Sequence, residues 1–174
     1  MKATNFDFDP DALGRKYQEE RDKRVRVDGN DQYQEVTGEF AYFVEDPYIA
    51  KELQRDAISE EVEVVIIGGG FGGMLAAARL REVGIDDFKI IEKGGDFGGT
   101  WYWNRYPGAS CDIESYVYFP LLEKTGFVPK QKYTNASETL EYCDVIAKQY
   151  KLHDSALLQT EVTATDWDET LGRW

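Results

Sequence analysis

The chain has 174 residues, 42% of them hydrophobic and 30% charged, with a formal net charge of −13. That length accommodates one domain with a proper core and is short for a two-domain enzyme. The acidic excess argues against a nucleic-acid face or an anionic membrane surface, both of which need clustered basic residues, and no apolar run approaches the roughly 20 residues of a bilayer span.

The amino terminus, Met1-Lys2-Ala3 followed by Asn5-Phe6-Asp7-Phe8-Asp9, has no apolar signal-peptide core. Residues 11–24 are helix-compatible, with Leu13 and Tyr17 one turn apart and charges elsewhere. So thin an apolar stripe does not support a helix alone, which predicts a surface helix. Residues 28–38, with Gly29, Asn30, Asp31 and Gly38, read as loop. Phe40, Tyr42, Phe43, Tyr48 and Ile49 are candidates for anchoring this part to the main body. Residues 1–60 thus read as a mostly irregular or helical amino-terminal extension, and residues 61–174 as the folded domain.

Val62, Val64, Val65, Ile66 and Ile67 form a β-branched run ending in glycine, which predicts a strand buried on both faces. Residues 73–83 follow as a helix rich in good formers, with Gly84 placed to end it. Phe88, Ile90 and Ile91 make a second strand ending at Glu92. Strand, helix and strand in so short a span form the crossover unit of a parallel sheet, hence an α/β, Rossmann-like fold. Residues 94–110 are glycine-rich, aromatic and irregular. A helix over about 137–150, opened by Asn135 or Ser137, presents Leu140, Cys143, Ala147 and Tyr150 on one face. Leu157-Leu158 and then Val162, Ala164 and Asp166 suggest two strands, and Trp167 to Trp174 a strand end, a turn and the start of a returning strand.

The turn between the first strand and helix places Gly68, Gly70 and Gly73 in a G-x-G-x-x-G pattern. The first glycine permits a tight turn, the second lets backbone approach a pyrophosphate, and the third lets helix pack closely on strand. The helix start then offers free N–H groups and a positive dipole end to phosphates. Glu92 follows at about the 20-residue spacing that puts a carboxylate on the adenosine ribose. A carboxylate there disfavours a 2′-phosphate, which leaves FAD and NAD open.

Trp101, Tyr102, Trp103, Tyr106, Tyr116, Tyr118 and Phe119 crowd one stretch, as core or as the wall of a flat cofactor. The residues alone leave two readings of Asp112. It is either a partly desolvated carboxylate among these rings, needing a cationic or donor partner, or a loop aspartate capping Ile113-Glu114-Ser115. Arg105 is read as making a structural bond within the loop, with a local pairing to Asp112 as the alternative. His153, the single histidine, reads as a surface residue. Cys111 and Cys143 lack metal-ligand spacing and read as reduced thiols of a cytoplasmic protein, with no metal site.

Gly98-Gly99-Thr100-Trp101-Tyr102-Trp103-Asn104-Arg105-Tyr106-Pro107-Gly108-Ala109 and then Cys111-Asp112-Ile113-Glu114-Ser115 resemble the flavin-adjacent signature of the Baeyer–Villiger monooxygenases. The amino-terminal segments around Glu20–Arg24 and Asp28–Tyr33 also look like members with an extension. The resemblance implies FAD as cofactor and NADPH as co-substrate, with one atom of molecular oxygen inserted beside the carbonyl of a ketone or aldehyde and the other released as water. By position it implies that Gly68, Gly70, Gly72 and Gly73 face the FAD pyrophosphate and Glu92 the ribose. It also implies that Thr100, Trp101, Tyr102, Trp103 and Tyr118 line the flavin side, and that Val162 gives the adenine a backbone contact. Asp112 matches the aspartate that stands beside the flavin and pairs with the catalytic arginine. Ser110 departs from the longer polar residue, often arginine, that many relatives carry at this place.

A histidine-containing fingerprint, a second glycine turn for NADPH and the catalytic arginine are expected further along and do not occur in these residues. The sequence therefore reads as an incomplete FAD-binding part, awaiting a carboxy-terminal region or a completing chain. A non-catalytic FAD- or NAD-binding remnant, or half of a split flavoprotein, is the alternative.

Overall fold

The computed structural model describes residues 7–174; Met1–Phe6, and with them most of the stretch read as lacking a signal peptide, lie outside it. Two compact units result, one ending at Glu45 and the other running from Asp46 to Trp174. The segment 46–60, grouped by sequence with the extension, therefore packs with the main unit.

In the first unit, α1 spans Pro10–Asp22. The Asp9 side chain caps it by accepting from the Asp11 and Ala12 N–H groups at 2.9 and 3.2 Å, and proline occupies the first turn, where its missing N–H costs nothing. No α1 residue is buried, as its thin stripe predicts. The expected loop at 28–38 contains a short 3₁₀ turn, Gly29–Gln32, and a second covers Gly38–Val44. Of the proposed anchoring aromatics, Phe40, Tyr42 and Phe43 are exposed.

The second unit is built on a parallel three-stranded sheet in the order β1-β2-β3, with β1 at Val64–Ile67, β2 at Phe88–Ile91 and β3 at Ala156–Leu157. Helix α2, Phe71–Glu82, connects β1 to β2 as the crossover unit requires. Short helical turns follow at Thr100–Trp103 (α3), Ser115–Tyr118 (α4) and Leu122–Thr125 (α5). Helix α6, Ala136–Gln149, is capped by Asn135, whose side chain accepts from the Glu138 N–H at 3.0 Å.

The core forms on one face of the sheet. Phe88 and Ile90 pack with Met74 and Ala77 of α2, Tyr142, Cys143, Ile146 and Ala147 of α6, and Leu152. Burial pushes the Cys143 thiol up to about 12, so this group behaves as a small apolar side chain. Phe119 stacks on Tyr142 with ring centres 4.8 Å apart. The opposite face corrects the expectation of a strand buried on both sides: Val65 and Ile67 are 53% and 61% exposed. A continuous β-branched run gives no alternation from which to read that asymmetry. The strand expected around Val162 and Ala164 is also absent, because residues 161–167 pair with no neighbouring strand among the described residues. The final turn does form, closed by an antiparallel bridge between Asp168 and Arg173 with Trp167 and Trp174 edge to face at 5.4 Å.

The glycine turn sets the crossing of β1 and α2. A Cβ placed on Gly73 would lie 1.9 Å from the Gly68 carbonyl oxygen and 3.2 Å from Ile66 Cγ2. On Gly72 it would meet nothing within 4 Å. Gly73→Ala is therefore expected to destabilise the fold by about 3 kcal/mol. Gly72→Ala is expected to be neutral or stabilising by up to about 1 kcal/mol. Denaturant unfolding of the two variants side by side checks both.

Candidate functional site

The site begins where β1 ends. Gly68 has φ +97°, a conformation few side chains tolerate, and its N–H donates to the Ile91 carbonyl at 2.8 Å. Gly70 caps α2 without a side chain, leaving the first N–H groups of a 12-residue helix pointing outward. No atom lies within 4 Å of a Cβ built on Gly68 or Gly72, so that flank of the turn is open.

A second glycine turn closes against the first. The Gly98 N–H donates to the Gly69 carbonyl at 2.9 Å. A Cβ on Gly99 (φ +52°) would come 2.7 Å from Gly70 Cα, so the two backbones meet with no room for a methyl group. Gly98 and Gly99 are part of the quoted signature, but their spacing gave no sign that they face the first turn.

Glu92 lies between Gly69 and Gly94 and is 6% exposed. One carboxylate oxygen accepts from the Gly69 N–H at 2.5 Å and the other from the Gly94 N–H at 2.6 Å. These bonds aim the carboxylate along the edge of the glycine turn. Each carboxylate oxygen retains acceptor capacity for a further donor. The Thr160 N–H donates to the Glu92 carbonyl and the Gln159 N–H to that of Gly94, both at 2.9 Å. Half-buried Val162 lies two residues beyond Thr160.

The aromatic stretch divides within one helical turn. Thr100 is exposed at the start of α3. Trp101 is buried, and its indole N–H donates to the Tyr118 hydroxyl at 3.0 Å. Tyr118 in turn meets Phe71, the first residue of α2, edge to face at 5.7 Å. This links the glycine turn to the aromatic wall; Phe71 occupies an unconstrained motif position, so no sequence signal marked it. Tyr102 is buried facing elsewhere, with its hydroxyl donating to Asp46 at 2.7 Å. Trp103 is half-buried and packs edge to face on Tyr102. Arg105 makes the loop bond expected of it, donating from Nε to the Tyr102 carbonyl at 2.8 Å.

Asp112 is exposed and has no hydrogen bond or ion pair among the described residues, so the desolvated carboxylate expected among the rings is not found. It does not cap α4 either, whose N-cap is Glu114. Its place is set by the buried Cys111, whose N–H donates to the Thr134 carbonyl at 2.9 Å and which packs with Trp101, Ala109 and Ala136. His153 is a surface residue, 2.8 Å from Asp96. No group of three or more potential metal ligands occurs among the described residues, and none of their helices is long and apolar enough to cross a membrane.

The fit to an adenine dinucleotide is therefore local and specific. An open flank at Gly68 and Gly72, outward N–H groups at a helix start and an aimed carboxylate at the end of β2 converge on one edge of the sheet.

The chain is similar to known proteins. A family model described as an NAD(P)-binding Rossmann-like domain matches residues 66–126. A Baeyer-Villiger monooxygenase of Streptomyces coelicolor is 46% identical over 168 residues, covering 95% of this chain and 28% of that protein. The polycyclic ketone monooxygenase from Thermothelomyces thermophila superposes with a TM-score of 0.77 at 44% identity, over 91% of this chain and 27% of its own. The OTEMO protein solved in complex with FAD and NADP gives a TM-score of 0.60 at 32% identity, over 65% of this chain and 22% of its own. The chain thus spans little more than a quarter of the length of the curated relative.

Because both Glu92 oxygens accept from backbone N–H groups, an amide cannot replace the carboxylate. Glu92→Gln would turn an NH₂ toward Gly69 or Gly94, and is expected to destabilise the protein by about 1–3 kcal/mol even without added cofactor. Thermal and denaturant unfolding measure this directly.

Proposed function

We propose that this chain is the FAD-binding portion of a Baeyer–Villiger-type monooxygenase, and that it holds FAD for an enzyme that inserts oxygen into ketones or aldehydes with NADPH as reductant. The observation that carries this reading is the buried Glu92 carboxylate, locked between two glycine turns at the mouth of α2.

Gly68, Gly70, Gly72 and Gly73 form the edge on which the pyrophosphate rests, held by backbone N–H groups and the dipole of α2. Glu92 accepts the adenosine ribose hydroxyls with the capacity its two backbone bonds leave. The Val162 backbone meets the adenine. Thr100, Trp101, Tyr102, Trp103 and Tyr118 build the flavin side, with Trp101 and Tyr118 fixed by their mutual hydrogen bond and Tyr102 by its bond to Asp46. Asp112 carries a charge with no partner among the described residues, suited to orient an arginine supplied from beyond this chain. FAD supplies the two-electron chemistry when bound, taking reducing equivalents from NADPH and passing them to oxygen. The residues described here bind it, orient it and exclude water from one side of it.

Glu92→Ala is expected to weaken FAD binding by about 1–3 kcal/mol, read by flavin fluorescence titration, and an unchanged affinity would remove Glu92 from the ribose site. Asp112→Asn is expected to leave FAD affinity intact while lowering turnover of a cyclic ketone on the order of 10²-fold, measured as NADPH oxidation coupled to lactone formation by the intact protein. If the intact, yellow, FAD-loaded protein forms no lactone from any ketone offered, a non-catalytic binding module becomes the better reading.

A further inference from the structure

The Gly94–Gly95 turn after Glu92 is held from outside the strand–helix–strand unit. Asp46 Oδ2 accepts from the Gly95 N–H at 2.9 Å and from the Tyr102 hydroxyl at 2.7 Å, while Oδ1 accepts from the Tyr48 N–H at 2.9 Å. The same Gly95 N–H also lies 2.9 Å from the Tyr102 oxygen. Side chains close on the turn from two sides. A Cβ on Gly94 would lie 2.9 Å from Tyr102 Cε1, and one on Gly95 would lie 2.3 Å from Ile49 Cγ2. The Arg105 guanidinium sits over the Tyr48 and Tyr102 rings, 4.0 and 4.5 Å from their centres.

The electrostatics keep this clasp in one protonation state. Burial and the bond to Asp46 push the Tyr102 phenol up to about 12. Burial raises the Asp46 carboxyl, but bonds from Tyr102, Tyr48 and Gly95 and the charge of Arg105 outweigh it and hold the group below its ordinary value. At neutral pH the pair is therefore a phenol donating to a carboxylate. The turn it grips supplies the Gly94 N–H that binds Glu92 Oε1 at 2.6 Å.

We propose that Asp46 and Tyr102 are positioning residues for recognition of the adenosine ribose: by fixing the Gly94–Gly95 turn they fix the Glu92 carboxylate, so the segment preceding β1 helps to set affinity for the cofactor. The inference rests on the reading of Glu92 as ribose acceptor. A clasp that only staples the segment 46–49 to the fold would act independently of Glu92, and that difference is measurable.

The test is a double-mutant cycle in the intact protein, reading dissociation constants for FAD and for ADP, which carries the ribose without the flavin. Asp46→Asn is expected to weaken both ligands by about 3- to 10-fold, and Tyr102→Phe, which keeps the ring, in the same direction by less. In a Glu92→Ala background both effects are expected to shrink below about 2-fold, since the group they position is gone. The proposal is overturned if either substitution keeps its full effect without Glu92, or if both leave affinity unchanged while Glu92→Ala weakens it. Should Glu92→Ala itself leave FAD and ADP affinity unchanged, the ribose reading falls and takes this proposal with it. Tyr102→Phe keeps the cycle decisive if Asp46→Asn does not fold.

Discussion

The approach of the Gly73 α-carbon to the Gly68 carbonyl sets the rest of the cofactor edge. With a hydrogen where other residues carry a Cβ, the first turn of α2 sits directly on the exit of β1. The same close approach leaves room for Gly99 to meet Gly70, which brings the second glycine turn into register with the first. Glu92 is then enclosed by backbone on two sides and satisfied by N–H groups that side-chain variation cannot remove. Positions 68–73 and 98–99 thus act as one unit, though they are separated by a helix and a strand.

Charge puts this unit in context. A chain of net charge −13 is proposed to hold a dianionic pyrophosphate, and no lysine or arginine lies in the glycine turn. Backbone N–H groups and the helix dipole act over a short range and carry no net charge. Attraction confined to the first turn of α2 leaves the remaining surface free to be acidic. Binding of this kind has little of the salt dependence that a basic cleft would show.

Legibility in the sequence followed the range of the interactions concerned. β1, α2, β2 and α6 were readable because their signals are local: a β-branched run stopped by glycine, a block of helix formers, a capping Asn135. The position of Glu92 beside the glycine turn was readable because the fold fixes its distance from that turn. The stretch around Val162 looked like a strand but found no neighbour to pair with among the described residues, and β3, only two residues long, left almost no pattern. Trp101, Tyr102 and Trp103 read as three rings without directions; a single helical turn points Trp101 at Tyr118 and Tyr102 at Asp46. Asp46 itself was invisible, since its bond to Tyr102 spans 56 positions and an Asp-Pro-Tyr sequence reads simply as a turn.

The buried thiol of Cys143 gives the protein an internal clock. Alkylating reagents attack thiolates, and a fully enclosed group with its ionisation pushed to about 12 presents none while the core is closed. Labelling at that position proceeds only during the intervals when α6 lifts away from the sheet, so its rate reports how often the core opens. Because α6 and α2 share that core, any ligand that steadies the start of α2 slows the clock, and its occupancy can be followed without an engineered probe.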